Sequence, residues 1–322
     1  MLLSQRALGF DLQYFKGHCP RKNYDRHETI FLLLTLLATT LYAAAQTLSV
    51  ASYNIRYANS NDARKGNSWW ERAPRIASLV NYEAWDVVGM QEVLHAQLQD
   101  LRKGLKDYDY VGVGREDGAT KGEYAPIFYK KSRLKCLKQG TFWLSETPEE
   151  VGSKGWDAAL PRVCTWACFE DKVTQWKLWV FNLHLDHVGK EARVKSARLV
   201  LKQIAKLCGD EPYVLTGDFN ADQHSDVYAT LLKSDDFVDA YDRARHRMAE
   251  NGTFNGFKPQ SWKAERIDHV FVSKHFNVHR YGLLTPFYWA QTPDGDYQPR
   301  HYSDHFPVST VLELPQRREA EE

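Results

Sequence analysis

"YVLTGDFNADQHSD", residues 213–226, is the stretch on which the reading of this chain turns. An apolar run ends at Gly217, and Asp218 and Asn220 follow with Phe219 between them. Strand alternation sends Phe219 inward while its two polar neighbours face out, and Gly217 lets the backbone turn closely at the strand end. The same pattern recurs along the chain. "SVASYNIR" ends on Asn54, "DVVGMQE" on Glu92, "WVFNLHLDH" carries Asn182 and His184, and "RIDHVFVS" begins at Asp268. Polar groups of one chemical kind therefore gather at strand ends, where a rigid scaffold presents chemistry to solvent.

Helical patterns separate these runs, notably "WERAPRIASLVNYE", "LHAQLQDLRKGL", "EARVKSARLVLKQIAKLC" and "SDVYATLLKS", with apolar residues three and four apart. Runs such as "KLWVFNL" are almost continuously apolar, as expected where helices cover the far side of a sheet. The mixture predicts an α/β protein with many strands. With 322 residues, 43% hydrophobic and 26% charged, the chain can bury a sizeable core. It shows no repeat or linker between 47 and 314, so one domain is expected there, followed by a polar tail over 315–322.

Residues 1–46 read differently. Basic residues precede the apolar "TIFLLLTLLATTLYAAA", and Ala43–Ala45 offer small side chains for cleavage. This is read as a signal peptide of an exported protein, an uncleaved anchor being the alternative; a start codon downstream of Met1 would shorten it. Cleavage removes five Lys/Arg and three Asp/Glu, so the formal charge of +1 becomes −1. The mature chain has no basic footprint, which argues against a long polyanionic substrate. Cys136, Cys164, Cys168 and Cys208 are too scattered for a disulfide scaffold. Nothing demands a protein partner, and a monomer is expected.

Singly, each strand-end residue has a structural explanation: Gly-Asp-x-Asn is usually a turn, and a histidine between apolar residues is usually a satisfied core group. Together, Asn54, Glu92, Asp218, Asn220 and Asp304 offer hard oxygen donors that suit Mg²⁺ or Mn²⁺ better than zinc. His184 and His305 add proton transfer beside carboxylates. The chemistry these groups suit is in-line attack of water on phosphorus.

"SYNIR", "GMQEV", "GREDGATKGEYAPIFYK", "FWLSETP", "PRVCTWA", "FNLHLDH", "TGDFN", "RIDHVFV" and "YSDHFPV" follow one another in the order and spacing of a known group. Over residues 48–313 the chain resembles the endonuclease/exonuclease/phosphatase superfamily, deoxyribonuclease-like metal-dependent phosphoesterases, here of a bacterial exported kind. The resemblance implies a four-layer sandwich, two packed mixed β-sheets flanked by helices, with the metal site at one edge. It makes Glu92 the main Mg²⁺ ligand, helped by Asn54 and Asp304. It gives Asp218 the attacking water, Asn220 a phosphate oxygen, and His305, paired with Asp268, the other half of the proton-accepting unit. It bonds His184 to Glu123 and offers Arg115 and Arg162 as phosphate holders. Trp69, Trp70 and Trp156 are candidates for a substrate rim, and His187 and Arg193 for closing over the site.

The substrate class is a phosphoester: a small nucleotide, a sugar phosphate or nucleic acid. Thr216 and Asp222 depart from the pattern of the inositol-polyphosphate phosphatases. Bacterial sphingomyelinases carry exposed hydrophobic hairpins, and no such insertion stands out in this sequence. A lipid phosphodiesterase at membranes and a catalytically silent binding module stay as alternatives.

Overall fold

The computed structural model describes residues 47–234, 236–248 and 251–313, together with Ile30. The leader and tail expected from the sequence otherwise lie outside the described residues. No helix among the described residues is long and apolar enough to cross a membrane.

In chain order the elements are β1 (Thr47–Asn54), α1 (Ser60–Arg64), α2 (Trp69–Glu83), β2 (Val87–Gln91), α3 (His95–Gly104), β3 (Tyr108–Val111), β4 (Ile127–Lys130), β5 (Leu134–Trp143), β6 (Val163–Asp171), β7 (Lys177–His184), α4 (Lys190–Cys208), β8 (Tyr213–Asp218), α5 (Asp226–Leu231), β9 (Phe237–Asp239), α6 (Ala240–Arg243), β10 (His246–Met248), β11 (Asp268–Ser273), β12 (Asn277–Leu283), β13 (Phe287–Gln291), β14 (Tyr297–His301) and β15 (Val308–Glu313). They build a seven-stranded sheet, ordered β10-β12-β15-β1-β2-β4-β3, and a six-stranded sheet, ordered β5-β6-β7-β8-β11-β9. Both are mixed: β1 runs parallel to β2 and β7 parallel to β8, while β15 and β11 flank them antiparallel.

Alternation along each strand produces the layers. Leu48 and Val50 of β1 pack with Val180, Val214 and Val270 in the core between the sheets. The intervening Ala51 and Tyr53 face the other way, into a cluster with Ile76 and Val80 of α2. On the far side of the second sheet, Phe181 and Leu215 meet Ala197, Val200 and Ile204 of α4. Helix, sheet, sheet and helix are therefore four layers, as the resemblance implied. Ser68 caps α2 by accepting from the Glu71 amide, and Ala84 ends it in the left-handed conformation.

The face between the sheets changes character along five central strands. It runs Val50, Ser52, Asn54 on β1; Val87, Gly89, Gln91 on β2; Val180, Asn182, His184 on β7; Val214, Thr216, Asp218 on β8; and Val272, Val270, Asp268 on β11. Pairing of Leu183 with Gly217, and of Asp218 with both His184 and Asp268, brings these ends to one edge of the sandwich.

Two expectations need correction. Gly217 does not make the turn; a Cβ there would sit 2.7 Å from Leu183, so its small size lets β7 and β8 approach. The turn falls on Asn220, at φ 46. Second, β13 and β14 form a separate hairpin whose Phe287, Trp289 and Tyr297 are 49%, 60% and 64% exposed. The sequence hid it because the apolar run Phe287–Ala290 is only four residues long and the second strand, Tyr297–His301, carries Gln, Pro and Arg, so the segment resembles neither a core strand nor an apolar insertion.

Candidate functional site

A cleft of about 620 Å³ opens where the five strand ends converge. Its lining includes Glu92, Glu123, Arg162, His184, Asp218, Asn220, Asp304 and His305. Three side chains leave their strands in the left-handed region, Arg56 at φ 59, Glu92 at φ 61 and Asn220 at φ 46. Such backbone costs on the order of 1 kcal/mol or more at each non-glycine residue and concentrates at functional sites.

Loops from the C-terminal part of the chain complete the edge. Buried Arg72 of α2 gathers the carbonyls of Ile55, Arg56, Asn67 and Tyr302, tying the exit of β1 to the segment before Ser303. Ser303 donates to the Asn54 carbonyl at 2.7 Å. Thr253 accepts the amides of Ile267 and Asp268 and takes the Phe306 amide on its carbonyl, so one loop holds both Asp268 and His305.

His305 is the best-defined group. Its Nδ1 bonds Asp268 Oδ2 at 2.8 Å, and its Nε2 lies 3.7 Å from Asp218 Oδ2. Burial lowers the His305 pKa, but the carboxylates of Asp268 and Asp218 outweigh it and hold the imidazole well above its ordinary value. Burial, and then the charge of Asp268, push the Asp218 carboxyl up. Each group therefore titrates under the other's charge.

His184 is its opposite. Burial and the nearby Arg162 and Arg115 guanidinium groups hold it well below its ordinary value. The Asn220 amide nitrogen donates to the Leu185 carbonyl and contacts His184 Nε2, each at 3.0 Å. Nε2 must therefore accept, which places the proton on Nδ1 of a neutral ring. Nδ1 has no hydrogen-bond partner among the described residues, because Glu123 Oε2 is 3.9 Å away. The implied His184–Glu123 hydrogen bond is not formed.

Other implied roles also shift. Both Asn220 amide protons are engaged as described, so in this geometry Asn220 orients His184 and has no N–H to offer a phosphate. Asn54 Nδ2 donates to Glu92 Oε1 at 3.0 Å and to Asp218 Oδ2 at 2.9 Å, while its Oδ1 accepts the Arg56 amide. It bridges two acids as a donor and does not turn its oxygen toward them. Arg115 holds Glu123 with two bonds, at 2.8 and 3.1 Å, and does not line the cleft. Burial pushes the Glu123 carboxyl up and the Arg115 guanidinium down, yet two short bonds favour the charged pair. Arg162 does line the cleft: Asp186 and His187 hold its Nε and Nη2, and its buried Nη1 has no partner among the described residues. His187 lines the cleft, Arg193 donates to the Asp186 carbonyl, and none of Trp69, Trp70 and Trp156 reaches the lining.

Among the described residues, ligand atoms of Glu92, Asp218 and His305 lie within 4.8 Å of one another. His305 is already bonded to Asp268 through Nδ1, and the hard-oxygen donors that fit a cation are the carboxylates of Glu92 and Asp218, with buried Asp304 beside them. These hard oxygens suit a small divalent ion. Arg56 was missed by sequence reasoning, although it closes the "SYNIR" motif. Its guanidinium bonds Asp62 at 2.8 Å and lies 3.6 Å from Asp304 and 3.7 Å from Glu92. Burial lowers the Arg56 pKa, but Asp304, Asp62 and Glu92 outweigh it and raise it. Asp186 was also missed as a scaffold residue: it accepts the amides of Ala159, Val188 and Gly189 as well as Arg162.

The model of the Endonuclease/Exonuclease/phosphatase family matches residues 51–305. A crystal structure of a family protein from Bacteroides thetaiotaomicron is 47% identical and superposes with a TM-score of 0.82, over 84% of this chain and 98% of that one. A mannosyl-6-phosphatase from Bacteroides thetaiotaomicron VPI-5482 is also 47% identical, with a TM-score of 0.81 over 83% of this chain and 100% of that one. An uncharacterized protein of Acanthamoeba polyphaga mimivirus is 29% identical over 260 residues, 76% of this chain and 92% of its own length.

Proposed function

The chain belongs to the endonuclease/exonuclease/phosphatase family, and from that premise we propose that it is a metal-dependent hydrolase releasing phosphate from a sugar phosphate monoester. The observation that carries the reading is its 47% identity, over 83% of this chain and the whole of that one, with a mannosyl-6-phosphatase. The cleft supports it chemically. The Asp218/His305 unit accepts the proton of the attacking water, with Asp268 holding the ring. Arg162, whose Nη1 has no partner among the described residues, and the His184 ring, whose Nε2 lies 3.5 Å from Asp218 Oδ2, line the cleft where oxygens gain charge as the phosphorus centre expands. A Mg²⁺ or Mn²⁺ ion bound by Glu92, Asp218 and Asp304 would neutralise charge on the non-bridging oxygens.

Phosphate release from a hexose 6-phosphate, a nucleotide monoester, a dialkyl phosphodiester and DNA, with and without Mg²⁺ or Mn²⁺, tests the reading. The hexose ester should be turned over fastest and only with metal. Turnover of the diester or DNA alone would overturn it. We also propose export with cleavage near Gln46, which N-terminal sequencing of protein recovered outside the cytoplasm checks.

A second reading has one specific support. The exposed face of the β13–β14 hairpin, with Phe287 and Trp289 rings 5.8 Å apart, would suit a lipid phosphodiesterase working at a membrane. Sedimentation with phosphatidylcholine and sphingomyelin vesicles decides it, binding being expected only under that reading.

A further inference from the structure

Beside the catalytic cleft lies a second groove of about 830 Å³. The two share Asn220, Phe254 and Ile267 in their linings, so they adjoin. Phe254 forms the partition. Its ring stands edge-on to His305 with centroids 5.0 Å apart, and Lys263 Nζ lies 5.4 Å from its centroid on the groove side. A group carried by a phosphoryl in the cleft therefore has this groove as its neighbour.

The groove's chemistry narrows what it can hold. Lys190, Arg193 and Lys263 are matched by Asp222, Asp226 and Glu265, so its formal charge is zero. A nucleic-acid strand or a second phosphate would need an excess of cations. A balanced set of donors and acceptors suits a neutral group with many hydroxyls. Trp262 stands 71% exposed in a wall it shares with charged Lys263 and Glu265, while Val194, Val227, Phe254 and Ile267 add apolar lining. An exposed indole packs against the C–H face of a pyranose while polar neighbours take the hydroxyls.

We propose that this groove is the subsite for the leaving group, that the leaving group is a neutral hexosyl unit, and that Trp262 is its specificity-determining contact. The proposal deepens the sugar phosphatase reading and rests on it. A charged or strongly extended leaving group would find no partner balance there.

The test uses Trp262→Ala in the full chain, with two arms. In the first, hydrolysis of a hexose 6-phosphate is compared with that of methyl phosphate, which is too small to reach the groove. The variant should raise KM for the hexose ester about tenfold, as expected for loss of a contact worth about 1.4 kcal/mol, with kcat nearly unchanged. Methyl phosphate should be hydrolysed as by the parent. Equal losses on both esters, or no change on either, overturn the proposal. In the second arm, saturation-transfer NMR follows binding of a neutral methyl hexoside and of a nucleoside. Binding of the hexoside by the parent and its loss in the variant support the subsite, whereas retention of only the nucleoside overturns it. If the parent turns over no phosphate ester, the phosphatase reading fails and the binding arm still decides the groove.

Discussion

Two polar layers lie between the same strands, one two residues beyond the other, and they differ in the charge they pack together. In the inner layer Asn182 donates to the carbonyls of Met90 and Pro126 and accepts from Gln91 and Thr216, at 2.7 to 3.0 Å. Its amide capacity is full, it carries no charge, and it links one sheet to the other. In the outer layer Glu92, Asp218, Asp268 and Asp304 crowd together, and His184 Nδ1, Asp268 Oδ1 and Arg162 Nη1 have no partner among the described residues. Both layers are buried. Gln91 Oε1 and Thr165 Oγ1 beside Asn182 also lack a partner among the described residues, so neither burial nor an unpartnered atom marks a site; packed like charge does.

The comparison breaks most visibly if Asp218→Asn leaves activity in place. This isosteric change removes a charge from the outer layer only. We expect kcat to fall by roughly a thousandfold or more, about 4 kcal/mol of barrier, with an unchanged or slightly raised melting midpoint. Steady-state phosphate release and circular dichroism measure the two. Asn182→Leu is the mirror experiment. It strands the Met90 and Pro126 carbonyls between the sheets and should cost about 3 kcal/mol in urea unfolding. The folded fraction should keep near-normal kcat. A stable but inactive Asn182→Leu protein would show that the inner layer belongs to the site.

Much of the outer layer was legible because each residue ends an apolar run. Asn54, Glu92, His184, Asp218 and Asp268 all stand where strand alternation stops being hydrophobic. The boundary between layers was not legible. Asn182 and His184 sit two residues apart on one face, and only the pairing of Asn182 with Thr216, and its contact with Gln91 across the sheets, shows that the first is spent. Gly89 was silent for the same reason. A Cβ there would meet Thr216 Oγ1 at 2.1 Å, a contact that no single strand records. Partner exchange was equally hidden: Arg115 and His184 both lie near Glu123, and distance alone decides that Arg115 takes it. The three-residue strands β9 and β10 have too few alternating positions to be read at all.

Arg56→Met sharpens the contrast from the side of charge. The Arg56 guanidinium is the cation now beside Glu92 and Asp304. Its removal should strengthen Mn²⁺ binding, measured by calorimetry, about tenfold, the effect of lifting about 1.4 kcal/mol of repulsion. The metal-free protein should melt lower, because the acids then repel one another without a counter-charge. Weaker Mn²⁺ binding would mean that Arg56 helps build the metal site.

The smallest effect separates the two histidines of the outer layer. His184 has a folded pKa below its ordinary value of 6.5, so between the two values the unfolded chain binds more protons and stability falls as pH falls. His305 has a folded pKa well above 6.5, so its contribution is complete below that value and is lost as pH rises through the folded pKa. One unmatched proton changes stability by at most about 1.4 kcal/mol per pH unit. In EDTA, His184→Gln should therefore flatten the loss of melting temperature on the acid side of 6.5, whereas His305→Gln should remove stability chiefly at low and neutral pH. Matching pH profiles for the two variants would contradict the assignment of one neutral and one charged ring. That assignment leaves His184 accepting from Asn220 at Nε2 while His305 stays bonded to Asp268 and faces Asp218.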